Sequence, residues 1–428
     1  MFRPVAKWSP LAITVFAMCT SFATYFCMYA FRRPFTVAAY ETATAVGMVV
    51  DFKIAIIIAQ VLGYATSKFI GIKFISELRP GVRFRMLLRL VGIAWLALLG
   101  FALSKDSGWS LLFLFLNGLP LGMVWGVVFS YLEGRQTTEL LGAALCASFI
   151  VASGVVKSVG AWLIQYQSVS EYWMPFATGA IFLPGLVLGG WLMEKIPQPS
   201  NQDVALRTER APMTKVERKA FSRKHGLGIL ALIVCYVSIT IYRDFRDNFA
   251  LELWTGLGYG DAPAIFTLAE LPIAVLTLVM LALTMFIRNN RTAFLLYLWL
   301  ILGGGLVVGG STIAFQAGVL PGAWWMILIG AGLYIIYIPY NAILFERLIA
   351  ALGSVANVGF LIYLADAWGY AGSVLTLLYR NFGQGELSWL IFFTKMSYLV
   401  ALVSCATTII AIVYFYHKIK QAPVLGAV

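Results

Sequence analysis

The chain has 428 residues, of which 61% are hydrophobic and 12% charged. Soluble domains run at roughly a quarter charged and under half apolar, and one soluble core could not enclose so much apolar sequence. A water-soluble globular fold is excluded, and the bilayer is the solvent. The formal charge of +12 does not imply nucleic acid either. The Lys and Arg residues sit in short segments between apolar runs, without zinc-finger spacing, a basic heptad helix or an aromatic RNA-binding motif. Cys19, Cys27, Cys146, Cys235 and Cys405 are scattered through apolar segments and fit no metal-ligand spacing.

A span needs about twenty apolar residues to cross roughly 30 Å of hydrocarbon. On that measure the sequence predicts an all-α membrane protein of twelve transmembrane helices, at 9–33, 52–76, 85–104, 109–132, 139–165, 172–195, 227–250, 262–287, 292–316, 321–346, 353–379 and 391–416. The first has too long an apolar stretch for a signal peptide and no small-residue cleavage site, so it reads as an uncleaved span. The organisation is an N-terminal six-helix bundle over 1–196, a linker over 197–226, a C-terminal six-helix bundle over 227–418 and a tail over 419–428. Loop charge sets the orientation. One side collects Arg3, Lys7, Arg79, Arg83, Arg85, Arg89, Arg135, the linker, Arg288, Arg291, Arg347, Lys418 and Lys420, against little beyond Lys105 and Arg380 on the other. Both termini and the linker are expected to be cytoplasmic.

A charge near the bilayer centre costs about 2.5–3.5 kcal/mol on insertion scales, so it faces a cavity or a partner. Six bases fall inside spans: Arg32, Arg33, Lys68, Lys157, Arg243 and Arg246. The matching acids are Asp244, Asp247, Glu270 and Asp366. The excess of bases favours an anionic guest. Lys53 and Lys395 lie near span ends and are read as snorkelling. Lys157 lies in the small-residue run SGVVKSVG, where another helix can approach closely and leave the ammonium facing inwards. Asp244 and Asp247 are read as ion-pair partners of the neighbouring arginines, and Arg33, ahead of Pro34, as either structural or functional. Tyr334, Tyr337 and Tyr340 could line a cavity or form an interfacial belt. Pro339 and Asn341 mark a break in the tenth span.

The first span ends YFCMYAFRRPF, the second carries Ser67, Lys68, Phe69 and Gly71 ahead of a basic turn, and the seventh ends YRDFRDNFALELW. These segments resemble the organophosphate:phosphate antiporters of the major facilitator superfamily, the glycerol-3-phosphate and hexose-phosphate transporters. The six-plus-six organisation resembles that superfamily too, with halves that rock about a midplane site. The resemblance implies one phosphoryl-binding arginine per half, here Arg32 with Arg246, and Arg243 as the fallback. Tyr25, Tyr29, Lys68 and Lys157 join them as substrate-binding candidates. The chain departs from that pattern where Glu77 and Arg79 replace an adjacent Asp-Arg, and where the spans lack histidine. The chemistry agrees with an anionic guest: a guanidinium is a permanently charged, planar donor fork that matches two oxygens of phosphate or carboxylate.

Glu133, Arg135 and Glu139 occupy the turn between the fourth and fifth spans, either as a cytoplasmic gate or as a solvated turn. Glu270 and Asp366 are the candidates for proton coupling, since burial raises a carboxyl pKa; otherwise they are fixed partners of arginines. The reading is a secondary transporter of a small organic anion, by exchange or proton coupling, and not an enzyme. It needs no cofactor or metal, contacts lipid and its anionic solute but no nucleic acid, and is expected as a monomer in a bacterial cytoplasmic membrane. The alternative is a non-transporting sensor of a small anion on the same fold. A lipid-modifying enzyme ranks below both, because no catalytic cluster is evident, and no P-loop suggests ATP-driven transport.

Overall fold

The computed structural model describes residues 8–40, 50–76, 81–105, 107–133, 135, 137–199, 203, 215–285, 287, 289–352 and 358–421. Glu77, Arg79 and Arg288, on which parts of the sequence reading fall, lie outside them. The described residues form fourteen α-helices: α1 Pro10–Met28, α2 Phe52–Ser76, α3 Arg83–Ser104, α4 Trp109–Phe129, α5 Thr138–Gln167, α6 Met174–Met193, α7 Lys215–Asn248, α8 Ala250–Gly256, α9 Ile265–Met285, α10 Asn290–Gln316, α11 Gly322–Ala342, α12 Leu344–Leu352, α13 Val358–Gly383 and α14 Trp389–Gln421. Ten are long and apolar enough to cross a membrane by length and composition. The remaining long helices, α2 with 25 residues and α13 with 26, rise about 38 Å and about 39 Å at 1.5 Å per residue and take the places of the second and eleventh expected spans. The chain is an integral, multi-pass, all-α membrane protein.

Three boundaries differ from the sequence reading, and each difference has a local cause. The first span is not one α-helix to residue 33. After α1 the chain tightens into 3₁₀ turns at Tyr29–Phe31 and Pro34–Val37, because Pro34 has no N–H and restricts Arg33 before it. The seventh span begins early, since α7 starts at Lys215 within the stretch read as linker, and it leaves helical geometry at His225. The tenth span is interrupted at Ile343, whose φ of −151° separates α11 from α12, within a turn of Pro339. A similar break at Phe249, with φ −112°, separates α7 from α8.

By contact the chain divides into two compact units. The first comprises Met1–Arg207, Arg246–Leu271 and Val374–Leu390, and the second comprises Thr208–Phe245, Pro272–Ser373 and Ile391–Val428. Hence the end of α7, all of α8 and the start of α9 group with the first six long helices.

In the first unit α2 and α4 pack backbone to backbone. Gly118 and Gly122 lie on one face of α4, in the small-xxx-small spacing that lets membrane helices approach closely. A Cβ at Gly118 would lie 2.2 Å from the Gln60 carbonyl oxygen, and one at Gly122 1.8 Å from Ser67 Oγ. No side chain fits either place without the helices separating. In the second unit the core is aromatic: Trp325 stacks on Phe315 with centroids 4.3 Å apart, and Tyr242 on Phe393 at 4.8 Å.

Gly118→Leu is expected to wedge α2 from α4 and to destabilise the fold by at least the about 1–3 kcal/mol of an overpacked core. Thermal unfolding in detergent, followed by the loss of monodisperse protein, checks it; a melting curve like the native chain's would contradict this packing.

Candidate functional site

The site grows from the place where α1 stops being a regular helix. A helix end frees carbonyls that need donors, and inside a membrane no water supplies them. Here two amides do so. Asn117 Nδ2 donates to the Phe31 and Ala94 carbonyls, 2.9 Å each. Gln60 Nε2 donates to the Arg32 carbonyl at 2.9 Å and to Asn117 Oδ1 at 2.7 Å. Both side chains are buried. With its backbone so fixed, Arg32 lays its guanidinium 4.0 Å over the Tyr64 ring and 5.8 Å from the Tyr29 centroid. Tyr25 packs edge-on against Tyr29 and Trp125. Lys68, one turn along α2, lies 5.4 Å from the Tyr64 ring.

The next residue, Arg33, goes elsewhere. Its Nη2 lies 2.7 Å from Asp247 Oδ2, and its Nη1 donates to Asn248 Oδ1 at 2.6 Å. The same carboxylate ion-pairs with Lys157 through Oδ1 and accepts from Ser153 Oγ at 2.5 Å. Lys157 also donates to the Asp247 carbonyl at 2.6 Å. Asp247 therefore joins the end of α1, the middle of α5 and the end of α7. One turn before Lys157, Gly154 meets the start of α9: a Cβ there would lie 2.5 Å from the Phe266 carbonyl and 3.1 Å from the Glu270 side chain. Ser158 and Thr267 share a hydrogen bond of 2.6 Å along the same seam. Glu270 accepts from Arg246 Nη1 at 2.6 Å, and its other oxygen is buried with no hydrogen bond among the described residues. The run SGVVKSVG thus admits another helix and turns its lysine inwards.

Other expected residues fall in the second unit. Arg243 donates to Asp244 Oδ1 at 2.6 Å and lies 4.2 Å over the Tyr337 ring, while Ser373 donates to Asp244 Oδ2 at 2.9 Å. Asp366 accepts from the Tyr236 hydroxyl at 2.6 Å. Tyr334, Tyr337 and Tyr340 are all buried, so they do not form an interfacial belt.

Ser153, Asn248, Gln60 and Asn117 were not among the site residues that sequence reasoning named. Lone amides inside apolar runs were the available signal. Lys53 corrects an expectation outright: it is 4% exposed and ion-pairs with Glu252 of α8, whereas Lys395 is exposed as a snorkelling lysine should be.

At the opposite end of α3 and α4 lies a cavity of about 380 Å³, lined by Arg83, Tyr131, Glu133, Arg135 and Glu194 among others. Glu194 accepts from the Tyr131 hydroxyl and, at 3.2 Å, from the Phe84 N–H. Burial, and then Glu194, push the Tyr131 phenol well above its ordinary pKa. Arg135 donates to the Pro197 carbonyl, and burial lowers its pKa. The turn between α4 and α5 is therefore built into a charged cap and is not simply solvated. The side chain of Glu139 lies outside the described residues.

Asn117→Ala is expected to leave the buried Phe31 carbonyl short of its donor, since the Ala94 carbonyl keeps its bond within α3, at about 1–3 kcal/mol for a buried unsatisfied group. Thermal unfolding in detergent measures the loss; Asn117→Asp, which cannot donate to that carbonyl when ionised, should not restore stability.

A family model described as a family of unknown function (DUF5690) matches residues 34–418. No curated protein matches the chain. Among solved structures, a D-xylose-proton symporter aligns with a TM-score of 0.57 at 14% identity, over 92% of this chain and 96% of the other. A bacterial homologue of the human lysosomal transporter Spinster, in an inward-facing and unoccupied conformation, aligns with a TM-score of 0.58 at 12% identity, over 96% and 97%. At these identities the likeness to both transporters is one of fold.

Proposed function

This chain belongs to DUF5690, a family of unknown function, and from its own buried charges we propose that it is a secondary transporter of a small organic anion, phosphorylated or carboxylated, working by alternating access. The fold likeness to a proton symporter and a Spinster homologue supports transport. One observation supports the anion. Among the described residues, two buried bases, Arg33 just after α1 and Lys157 in the middle of α5, share the single carboxylate of Asp247, while Glu270 takes Arg246. A low-dielectric site with that imbalance attracts an anion and repels a cation.

Arg32 and Arg246, one from each half of the sequence, are the proposed anion ligands, with Arg243 as the alternative and with Lys157, Lys68, Tyr29 and Tyr25 around them. Arg246 already holds Glu270, so substrate binding there is an exchange of partners. Glu270, with one oxygen lacking a hydrogen bond among the described residues, is the proposed proton carrier if transport is proton-coupled; Asp366, bound to Tyr236, is the second candidate. Simple anion exchange needs neither. The halves are proposed as 1–196 and 227–418, with both termini on the cytoplasmic face of a bacterial inner membrane and the chain acting as a monomer.

Proteoliposomes loaded with inorganic phosphate should take up labelled sugar phosphate or carboxylate by counterflow. Arg32→Ala and Arg246→Ala should each lower that uptake by at least tenfold while the protein still reconstitutes. Undiminished uptake in both variants would remove these arginines from the site, and uptake of only cations or neutral sugars by the native chain would remove the anion.

A further inference from the structure

Resting on the anion reading, we infer that Asp247 is a built-in stand-in for the substrate's anionic group: it occupies Arg33 and Lys157 when no substrate is bound, and the substrate displaces it. The geometry points to this in three ways. First, the charges do not balance, because one carboxylate serves two buried bases, Arg33 at 2.7 Å and Lys157. The remaining partner of Arg33 is the neutral oxygen of Asn248. Second, Arg33 is 4% exposed and its Nε is buried without a hydrogen bond among the described residues. A guanidinium offers its Nε and one Nη as a fork to two oxygens of phosphate or carboxylate, and here the Nε half of that fork is unused. Third, the donors around Asp247 suit any compact oxyanion: an arginine from the segment after α1, a lysine and the Ser153 hydroxyl from α5.

An entering oxyanion would complete the fork on Arg33, take the Lys157 ammonium and release Asp247. That release loosens the end of α7, which keeps only the Asn248 contact to Arg33 and the Asp247 carbonyl contact to Lys157 in this cluster, beside the non-helical residue Phe249. Binding and loosening thus become one event, and the substrate site contains Arg33, which the sequence left undecided, as a ligand.

Asp247→Asn tests the displacement in the full-length purified chain, with inorganic phosphate as the probe and equal ionic strength of chloride as the control. Removing the internal competitor should tighten phosphate binding at least tenfold, read as thermal stabilisation across a phosphate titration. Adding Arg33→Gln and Lys157→Gln to Asp247→Asn should abolish that gain. If Asp247→Asn alone does not yield folded protein, purification in phosphate should recover it, since the free anion then fills the place of the lost carboxylate. A folded Asp247→Asn chain that binds phosphate no more tightly than the native chain overturns the inference, as does an unfolded one that phosphate fails to recover. In either of these cases counterflow of anions by the native chain would leave the transporter reading standing. Absence of that counterflow would end both.

Discussion

The half-buried carboxylate of Asp247 serves two buried bases, and much of the first unit is arranged around that shortage of negative charge. Charges withdrawn from water are tolerated only in good geometry with their remaining hydrogen bonds met, and removing one partner of such a pair costs about 3–5 kcal/mol. Arg33, Lys157 and Ser153 all reach the same two oxygens. The end of α7 is therefore held by electrostatics that have no neutral resting arrangement of their own. A surplus base in a dry place is a standing attraction for anions, and it makes this cluster different from an ordinary structural salt bridge.

The second unit supplies the contrast. There Arg243 and Asp244 are balanced one to one, Ser373 takes the second oxygen of the carboxylate, and the guanidinium lies on Tyr337. Such a set is closed: Arg243 has its counterpart in Asp244, and both oxygens of that carboxylate have donors. Small residues make the open cluster possible. Gly154 lets the start of α9 come close enough for Glu270 to lie one turn from Lys157, so the Arg246–Glu270 pair and the Asp247 cluster adjoin on α5.

Much of this was legible in the sequence, for identifiable reasons. Apolar runs report the solvent directly, so the spans could be placed to within a few residues. An arginine or lysine inside such a run announces a partner, and SGVVKSVG announces both an inward lysine and a helix lying against it. The identity of the partner was not legible, because nothing periodic connects Lys157 with a residue ninety positions away. Arg32 and Arg33 show the limit most clearly. Adjacent in sequence, they diverge where the chain passes from one 3₁₀ turn, Tyr29–Phe31, to the next, Pro34–Val37, one going to Tyr64 and the other to Asp247. Lys53 misled for another reason. It sits at the end of a span, where lysines usually reach for water, but α8 continues beyond the break at Phe249 and brings Glu252 over it.

The irregular end of α1 bears on the order in which the protein can be assembled. The carbonyls of Phe31 and Arg32 receive their hydrogen bonds from Asn117 on α4 and Gln60 on α2, and hydrocarbon offers no substitute. When the ribosome has made only the first span, that segment has no donors in the lipid and must stay at the wet interface or continue as plain helix. Its final shape, and with it the separate directions of Arg32 and Arg33, comes into being only after the fourth span has been inserted. The charged centre is thus a late product of biosynthesis, and a chain interrupted before residue 117 would carry both arginines with no scaffold to hold them apart.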